Sequence, residues 1–510
     1  MAILSGSGLK VDLENGFELR APGVVGEANP LTLPIPGVTR ARALEPEDGT
    51  DALTAALAST NLTEIKRVEL KLERPAGPAP ERALRSVDAR QDVVEFLAPV
   101  PEDDEGQVVL TVDEHGVMTW HLPVRTEPGA PGATRGAAGP KQVFLIPATV
   151  TPPPQAAPGG VRPARGLIGL VGRKLLKVLI YPLTDPLLGP IEKYFAERWE
   201  TKNRPYGLRT FTPANYKDPN APALTADDFK RLAEKRALLF IHGTFSTAHG
   251  AFYGLCNNVL AELHKRYDGR VFAFNHFTLS HDPERNVQWF LGRLPPDCKL
   301  DVGIVCHSRG GLVARKLAER LAGNPTTNVK VSRIVFAGVP NAGTLLADKD
   351  HMVSMIDRLT TLTNLFPTGP VTEFLEGLIT AVKVLGHAGL AGLPGLAAMD
   401  PRGKFLKALN TKAAVSDTVY GIAADYEPTD AGLKALVTGA ADAVVDRIFE
   451  NAANDLVVPQ LGVFEKNGGS SFPIPPVQVL KIDKAAGVMH TTLFGYQPAC
   501  DKILEWLTAS

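Results

Sequence analysis

The sequence is poor in cysteine, carries almost no net charge and lacks a long uninterrupted apolar run. Its four cysteines are scattered over 510 residues without C-x-x-C pairing, which argues against a zinc ribbon or a dense disulfide framework. A formal net charge of -1 offers no electrostatic reason to expect nucleic acid as a partner. Histidines and carboxylates show no H-x-x-x-H or similar spacing, so neither a metal nor a cofactor is expected.

Targeting signals are also lacking. No stretch of about 18 apolar residues is found, which argues against a membrane-spanning helix. The segment Met1–Val11 has no basic region followed by an apolar core, so no signal peptide is predicted. A cytoplasmic location is therefore expected.

What the sequence does contain begins with a β-rich region, 1–151. At 510 residues two or more domains are expected. Apolar and polar residues alternate in several short runs, which predicts strands with one buried face. These runs are Gly16–Leu19, Arg67–Leu72, Val108–Val112 and Met118–Leu122, with a helical exception at Asp51–Leu57.

Two connecting segments follow. Residues 126–165 are rich in Pro, Gly and Ala, apart from a strand-like piece at Gln142–Ile146, and this composition predicts a linker. Residues 166–235 are predicted to be an amphipathic helical connector. Within it, the apolar and basic segment Leu167–Trp199 is expected either to lie on a membrane surface or to pack on the neighbouring domain.

The region 236–510 has a different pattern, in which short apolar runs alternate with helical stretches. Continuous apolar strands indicate burial on both faces, as in a mostly parallel sheet flanked by helices. The pattern is typical of the α/β class. The predicted strands are Ala237–Ile241, Val271–Phe274, Val302–Cys306, Ile334–Ala337, Val419–Ala423 and Val477–Ile482.

Ser308 stands at the junction of one such strand with a helix. Asp301–His307 reads as a buried strand, and Gly310 and Gly311 open the helix directly after the serine. A turn that sharp strains the central residue and requires small neighbours two positions before and after. Cys306 and Gly310 meet that requirement. The stretch resembles the nucleophile elbow of α/β-hydrolases, specifically lipases and esterases, with Cys306 at the usual first glycine.

The resemblance extends to the segment that ends the first parallel strand. His242 and Gly243 follow Ala237–Ile241 and resemble the H-G loop whose N–H groups form half of the oxyanion hole in lipases. The hole requires two donors aimed at the developing negative charge. The resemblance implies backbone N–H groups of Thr244 or Phe245 and of Arg309.

Chain order then implies the acid and the base, because the triad of this family runs serine, acid, histidine. Asn454–Pro459 reads N-D-L-V-V-P and resembles the N-D-G-V-V-P loop that presents the acid in lipases, which points to Asp455. Asp425 also follows a predicted strand and competes for the role. His490 is the one histidine after Asp455 and is the predicted base.

An insertion at 345–416 interrupts the α/β alternation. It is rich in Leu, Met, Ala and Gly and has mixed helical periodicity. At this place in lipases, an insertion forms a lid or an acyl-chain pocket. We therefore expect a helical lid in which Leu378 and Leu390 contact substrate, with a helical cap without substrate role as the alternative.

Together these features predict an α/β-hydrolase fold preceded by a β-rich N-terminal domain, acting as a serine hydrolase on carboxylic esters of apolar or lipid type. An acyltransferase or an amidase would use the same triad. A third alternative is a multidomain effector, in which residues 1–199 recruit the hydrolase to a protein partner or a membrane surface.

Overall fold

The structure is a computed structural model, and most of the chain is described in it. The described residues are 1–33, 51–73, 93–114, 116–128, 139–150, 170–183, 191–322, 329–344, 347, 351–365, 370–411, 418–426, 453–465 and 474–509. Much of the predicted linker 126–165 therefore lies outside the described residues.

The first part of the chain forms antiparallel strands, which confirms three of the four alternating runs as strands. In the fourth run, Gly16–Leu19, Gly16 lies in a turn and the strand begins at Glu18. The described strands are β1 (Ala2–Asp12), β2 (Glu18–Leu31), β3 (Thr63–Glu73), β4 (Val93–Pro99), β5 (Glu105–Asp113), β6 (Met118–His121), β7 (Arg125–Glu127), β8 (Lys141–Pro147), β9 (Thr149–Val150), β10 (Leu170–Val171) and β11 (Arg173–Pro182). Their order in the first sheet is β6-β5-β11-β3-β2-β4-β8-β7, with β1 beside β2, while β9 and β10 pair separately.

The later part of the chain forms the second sheet, in which all six predicted strands are found. Its described strands are β12 (Gly207–Thr210), β13 (Ala237–Ile241), β14 (Val271–Asn275), β15 (Leu300–His307), β16 (Val329–Ala337), β17 (Thr418–Ala424) and β18 (Val479–Ile482). They lie in the order β12-β14-β13-β15-β16-β17-β18. Only the pair β12–β14 is antiparallel among these described strands, so the predicted mostly parallel sheet is confirmed.

Helices flank this second sheet and form the insertion. The described helices are α1 (Asp51–Ser59), α2 (Ile191–Asn203), α3 (Ala226–Glu234), α4 (Ala248–Ala251), α5 (Asn257–Arg266), α6 (Pro283–Arg293), α7 (Gly310–Ala322), α8 (Met352–Leu365), α9 (Val371–Ala388), α10 (Pro394–Ala397), α11 (Lys404–Asn410), α12 (Gln460–Phe464) and α13 (Gln497–Thr508). Across the described part of the chain, none of them combines the length and apolarity needed to cross a bilayer.

The predicted helix at Leu167–Trp199 is wrong for residues 173–182, which form β11. This strand lies inside the first sheet, antiparallel to β3 on one side and to β5 on the other. Its buried side chains include Leu176, Val178 and Tyr181. Two partner strands satisfy its backbone hydrogen bonds, and this long-range pairing overrides the local preference for helix. Among the described residues of this segment, α2 at its end is the helical part.

The two sheets are joined by the insertion helices. The first sheet has a core of its own, in which Phe96 and Val109 are buried. Its other face, which carries Leu110 and Trp120, packs into a second core shared with α8, α9 and the second sheet. Strand β5 is therefore buried on both faces, whereas its alternating sequence predicts that one face is buried.

Hydrogen bonds between buried groups hold the insertion to the first sheet and to the segment between α1 and β3. The Trp120 backbone N–H donates to Asp357 Oδ1 of α8 over 2.7 Å. The Tyr181 hydroxyl donates to the Lys383 carbonyl of α9 over 2.9 Å, and Lys383 Nζ donates to the Thr60 carbonyl over 2.6 Å. Because buried polar groups left without partners are costly, these bonds specify how α8 and α9 sit against the sheet.

Replacing Trp120 by alanine is expected to lower the free energy of unfolding by about 3–5 kcal/mol, since it empties a large site in this shared core. The Trp120 side chain is 2% exposed, whereas nearby Val124 is 54% exposed. Val124→Ala is the control and should change the free energy by less than about 0.5 kcal/mol. Urea unfolding followed by circular dichroism measures both. Similar small losses in the two variants would contradict the shared core.

Candidate active site

Ser308 lies in a sharp turn between β15 and α7, as predicted. Its φ is +52°, a left-handed conformation that is strained for a serine. The turn also brings backbones very close together: a Cβ on Gly310 would lie 2.4 Å from the His242 carbonyl oxygen, and one on Gly311 would lie 2.3 Å from Val339. Only glycine fits these two positions, so the glycines after Ser308 are required by packing.

The position two residues before Ser308 accommodates a side chain, although glycine is usual there. Cys306, which replaces the usual glycine, is fully buried, and its Sγ donates to the Val335 carbonyl over 3.3 Å. Burial raises the pKa of its thiol well above the usual value. Cys306 is therefore a neutral packing residue in the sheet.

His490 and Asp455 are brought together from separate loops. His490 Nδ1 and Asp455 Oδ2 are 2.8 Å apart, and the His490 backbone N–H donates to the Asp455 carbonyl over 3.0 Å. The other carboxylate oxygen, Oδ1, accepts from the N–H groups of Val457 at 3.1 Å and Val458 at 2.7 Å. Because Oδ1 is occupied by its own loop, Oδ2 is the oxygen directed at the imidazole.

The competing acid, Asp425, has a different neighbour. Its Oδ1 accepts from the Asn454 N–H over 3.3 Å, and the Tyr426 N–H donates to the Asn454 carbonyl over 2.7 Å. Asp425 thus helps to hold the loop that presents Asp455. In the described structure, the imidazole of His490 bonds to Asp455 and not to Asp425.

Because Gly338 has no side chain, Asp455 and His490 can lie close to the backbone that follows β16. The three predicted residues therefore border the same cavity. Gly338 follows β16 with a φ of +57°, and a Cβ there would lie 3.2 Å from both Asp455 Oδ2 and His490 Cε1. The Ser308 N–H donates to the Ala337 carbonyl next to it. Ser308, Asp455 and His490 all line a single cavity of about 120 Å³.

The predicted oxyanion loop borders the same cavity. Thr244 and Phe245 line it, and the φ of Phe245 is +56°. A Cβ on Gly243 would lie 2.6 Å from Ser308 Cβ, so this glycine allows the loop to reach the serine. Arg309 follows Ser308 directly, which puts its backbone N–H next to the serine.

Two buried histidines support these loops as neutral groups. Burial lowers the pKa of His242 to about 3. Its Nε2 accepts from the His276 N–H over 3.1 Å, and its Nδ1 donates to the Gly243 carbonyl over 2.9 Å. Burial likewise lowers the pKa of His307 to about 3. His307 Nε2 donates to the His490 carbonyl over 3.0 Å, so His307 holds the backbone of the predicted base.

The Arg309 side chain has a structural role that was not predicted from the sequence. It is fully buried, and burial lowers its pKa to about 10. The guanidinium donates to the Gly395 carbonyl over 2.7 Å, to Asn286 Oδ1 over 2.9 Å and to the His281 carbonyl. It therefore ties the start of α7 to α6 and α10. An arginine directly after Ser308 in an apolar stretch was the signal available.

The insertion supplies much of the cavity wall, but not through the predicted Leu378. Met355 and Leu359 of α8, with Val371 and Phe374 of α9, line the cavity. Leu378 lies one turn beyond Phe374, fully buried in the shared core and outside the lining. The side chain of Leu390 lies outside the described residues. The sequence pattern identified the insertion but not which helical face meets the cavity.

Glu373 and His249 also belong to this region and were missed. Glu373 lines the cavity from the first turn of α9, and its carboxylate pairs with His249 Nε2 at 2.8 Å. The available signal was an acidic residue in the first turn of a mostly apolar helix. Among the described residues, no group of three or more His, Cys, Asp or Glu side chains is arranged to hold a metal ion.

Comparisons with known proteins give one family match. Residues 203–508 match the model of a family described as a domain of unknown function, DUF7379. No curated protein matches the chain.

Solved structures that resemble the chain include hydrolases. The mature lipase BlEst2 of Bacillus licheniformis is 15% identical, with a TM-score of 0.31, over 54% of this chain and 92% of that one. Phospholipase PlaB from Legionella pneumophila is 13% identical, with a TM-score of 0.31, over 45% of each chain. The NocB thioesterase domain is 17% identical, with a TM-score of 0.30, over 55% of this chain and 97% of that one.

Proposed function

The chain belongs to the DUF7379 family, and from the geometry of its site we propose that it is a serine hydrolase that cleaves carboxylic esters. The observation that carries the proposal is the pairing of His490 Nδ1 with Asp455 Oδ2 at 2.8 Å, in a cavity that Ser308 also lines. A nucleophile, a base and an acid that orients the base are the parts of a catalytic triad.

The proposed reaction proceeds in two halves. Ser308 Oγ attacks the ester carbonyl carbon while His490 Nε2 takes the hydroxyl proton and Asp455 stabilises the resulting imidazolium. His490 then gives the proton to the departing alcohol, which leaves the acyl group on Ser308. Water, deprotonated by His490, attacks this acyl-enzyme and releases the carboxylic acid, which restores the serine.

The oxyanion of each tetrahedral intermediate requires donors that are in position before the reaction. We propose the backbone N–H groups of Arg309 and of Thr244 or Phe245. Arg309 is supported by its place at the start of α7, where the helix dipole favours negative charge. The loop of Thr244 and Phe245 is supported by the close approach of Gly243 to Ser308.

For the substrate we propose an apolar acyl ester, with the insertion 345–416 as a cap over the site. The cavity wall contributed by α8 and α9 is largely apolar, as Met355, Leu359, Val371 and Phe374 show. Apolar walls favour acyl chains because each buried methylene contributes about 0.8 kcal/mol. The first sheet would then support this cap through the Trp120–Asp357 hydrogen bond. Recruitment to a partner or membrane through residues 1–199 stays a prediction.

A fluorophosphonate probe followed by peptide mapping tests the proposed activity, with the label expected on Ser308. Turnover of an ester panel, with and without an added acceptor alcohol, separates a hydrolase from an acyltransferase. A folded protein that takes no label and turns over no ester would contradict the proposal.

Introducing a charge at Leu359 is expected to lower kcat/KM for long acyl esters far more than for acetyl esters. Leu359 lines the cavity, so the wild-type preference should rise by about fourfold per methylene until the pocket is full. Leu359→Asp should flatten this dependence. Leu378→Ala, at a buried position outside the lining, is the control and should keep the chain-length dependence. Equal losses on both ester classes in Leu359→Asp would rule out this wall as the acyl site.

A further inference from the structure

Glu373 gives the cavity a charge that the proposed triad does not use. Its carboxylate lies in the first turn of α9, with a side chain that is 37% exposed. Within the described lining of the cavity, Glu373 and Asp455 are the acidic residues, and neither lysine nor arginine is present. Asp455 is engaged by His490 and its own loop. Glu373, which pairs with His249, is therefore the carboxylate of the lining that lies outside the proposed triad.

The neighbours of Glu373 keep it negatively charged. Burial alone would raise the pKa of its carboxyl, but the hydrogen bond from His249 and the positive charges of Arg204 and Arg209 outweigh this and lower the pKa. The Arg204 guanidinium donates to the backbone carbonyl of Glu373 and is buried outside the described lining. Its charge stabilises the carboxylate, while its hydrogen bond goes to the backbone carbonyl of Glu373.

Hydrogen bonds hold the His249 imidazole beside Glu373. The Gly250 N–H donates to Thr247 Oγ1 over 3.4 Å, and Thr247 Oγ1 lies 2.9 Å from His249 Nδ1. His249 Nε2 donates to the Glu373 carboxylate, so the imidazole fixes the position of this carboxylate at the cavity wall.

Aromatic rings accompany this carboxylate. Phe374 follows it in the helix, and Phe245 contacts Phe374 edge to face, with ring centroids 6.0 Å apart and an interplanar angle of 80°. Both rings line the cavity. A carboxylate with aromatic rings beside it attracts an organic cation through charge and through the ring quadrupoles, and it disfavours anions.

We propose that Glu373 determines specificity by binding a cationic group of the substrate, so that the preferred ester carries an ammonium group in its alcohol or its acyl part. This inference rests on the proposed function, since it names the substrate class of the same cavity. The apolar wall of α8 would hold the uncharged part of the ester.

Matched esters test the inference. Butyrylcholine is compared with its carbon isostere, in which a quaternary carbon replaces the nitrogen. A second pair carries the trimethylammonium group, or its carbon isostere, at the end of a butyryl chain. In the wild type, kcat/KM should favour the cationic member of at least one pair by about tenfold, the scale of one charge-assisted contact. Glu373→Gln, which keeps an acceptor for His249, should remove this preference.

Glu376→Gln is the matched control. Glu376 lies one turn further along α9, where its carboxylate accepts from the Ser59 hydroxyl over 2.6 Å, and it is not part of the described cavity lining. Its variant should keep the preference for the cationic ester. Turnover of the neutral esters without cationic preference, or an unchanged preference in Glu373→Gln, would overturn the inference while the proposed hydrolase stands.

A binding measurement separates the inference from the proposed activity. Titration calorimetry of the full chain with phenyltrimethylammonium should detect binding that Glu373→Gln weakens by about tenfold. Binding that depends on Glu373, together with the absence of ester turnover and of labelling, would support the cation site and contradict the hydrolase. Binding of equal strength in wild type and variant would overturn the cation site.

Discussion

Replacing Ser308 by alanine is expected to lower ester turnover by about 10⁶-fold, since removal of a triad nucleophile leaves only binding and oxyanion stabilisation. The substitution removes one oxygen from a buried turn whose φ is +52°. Alanine is smaller than serine by that one atom and keeps the Cβ, so the fold should persist. Circular dichroism and urea unfolding check that it does.

Covalent labelling gives the direct readout for this variant. Ser246 also lines the cavity, so Ser246→Ala is the matched control. A fluorophosphonate probe should label the wild type and Ser246→Ala, and it should not label Ser308→Ala. Label retained in a folded Ser308→Ala protein would assign the nucleophile to another residue.

Replacing Asp455 by asparagine is expected to lower kcat by about 10⁴-fold. The reason lies in the loop of Asp455, where Oδ1 accepts from the N–H groups of Val457 and Val458. The amide oxygen of an asparagine would take that position, which turns its NH₂ group toward His490 Nδ1. Nδ1 must then accept, the imidazole proton moves to Nε2, and Nε2 can no longer take the proton of Ser308.

Asp425→Asn is the control for this second prediction. Asp425 accepts from the Asn454 N–H, and an asparagine oxygen can do the same. Its variant should therefore lose far less activity than Asp455→Asn. Single-turnover kinetics on a chromogenic ester measure both, and the reverse order of effects would make Asp425 the acid.

The sequence predicted the second sheet more completely than the first. The strands of the second sheet read as continuous apolar runs because they are buried on both faces. The segment Arg173–Pro182 was misread because its mixture of leucines and lysines also fits an amphipathic helix, and its strand partners β3 and β5 lie far away along the chain. No pattern in the local sequence predicts the pairing of this strand with β3 and β5.

Some residues of the candidate site were predicted from the sequence and others were not. Ser308, Asp455 and His490 were identified through short motifs and chain order. Glu373 and the Arg309 guanidinium have no such motif, since their neighbours come from distant segments, such as His249 for the first and Gly395 for the second. Leu378 was chosen from composition, which does not say which face of α9 meets the cavity.

By itself the sequence determined the strand, turn and helix around Ser308, since small residues at 306, 310 and 311 are steric requirements of a turn at positive φ. It also determined the parallel sheet, through runs of apolar residues. Only the tertiary structure decided that His490 bonds to Asp455 rather than Asp425, that the first sheet holds the insertion helices, and that Glu373 lines the cavity. The physical reason is the distance along the chain over which each interaction acts. Local sterics and periodicity act over a few residues, whereas these contacts join segments that meet only after the chain has folded.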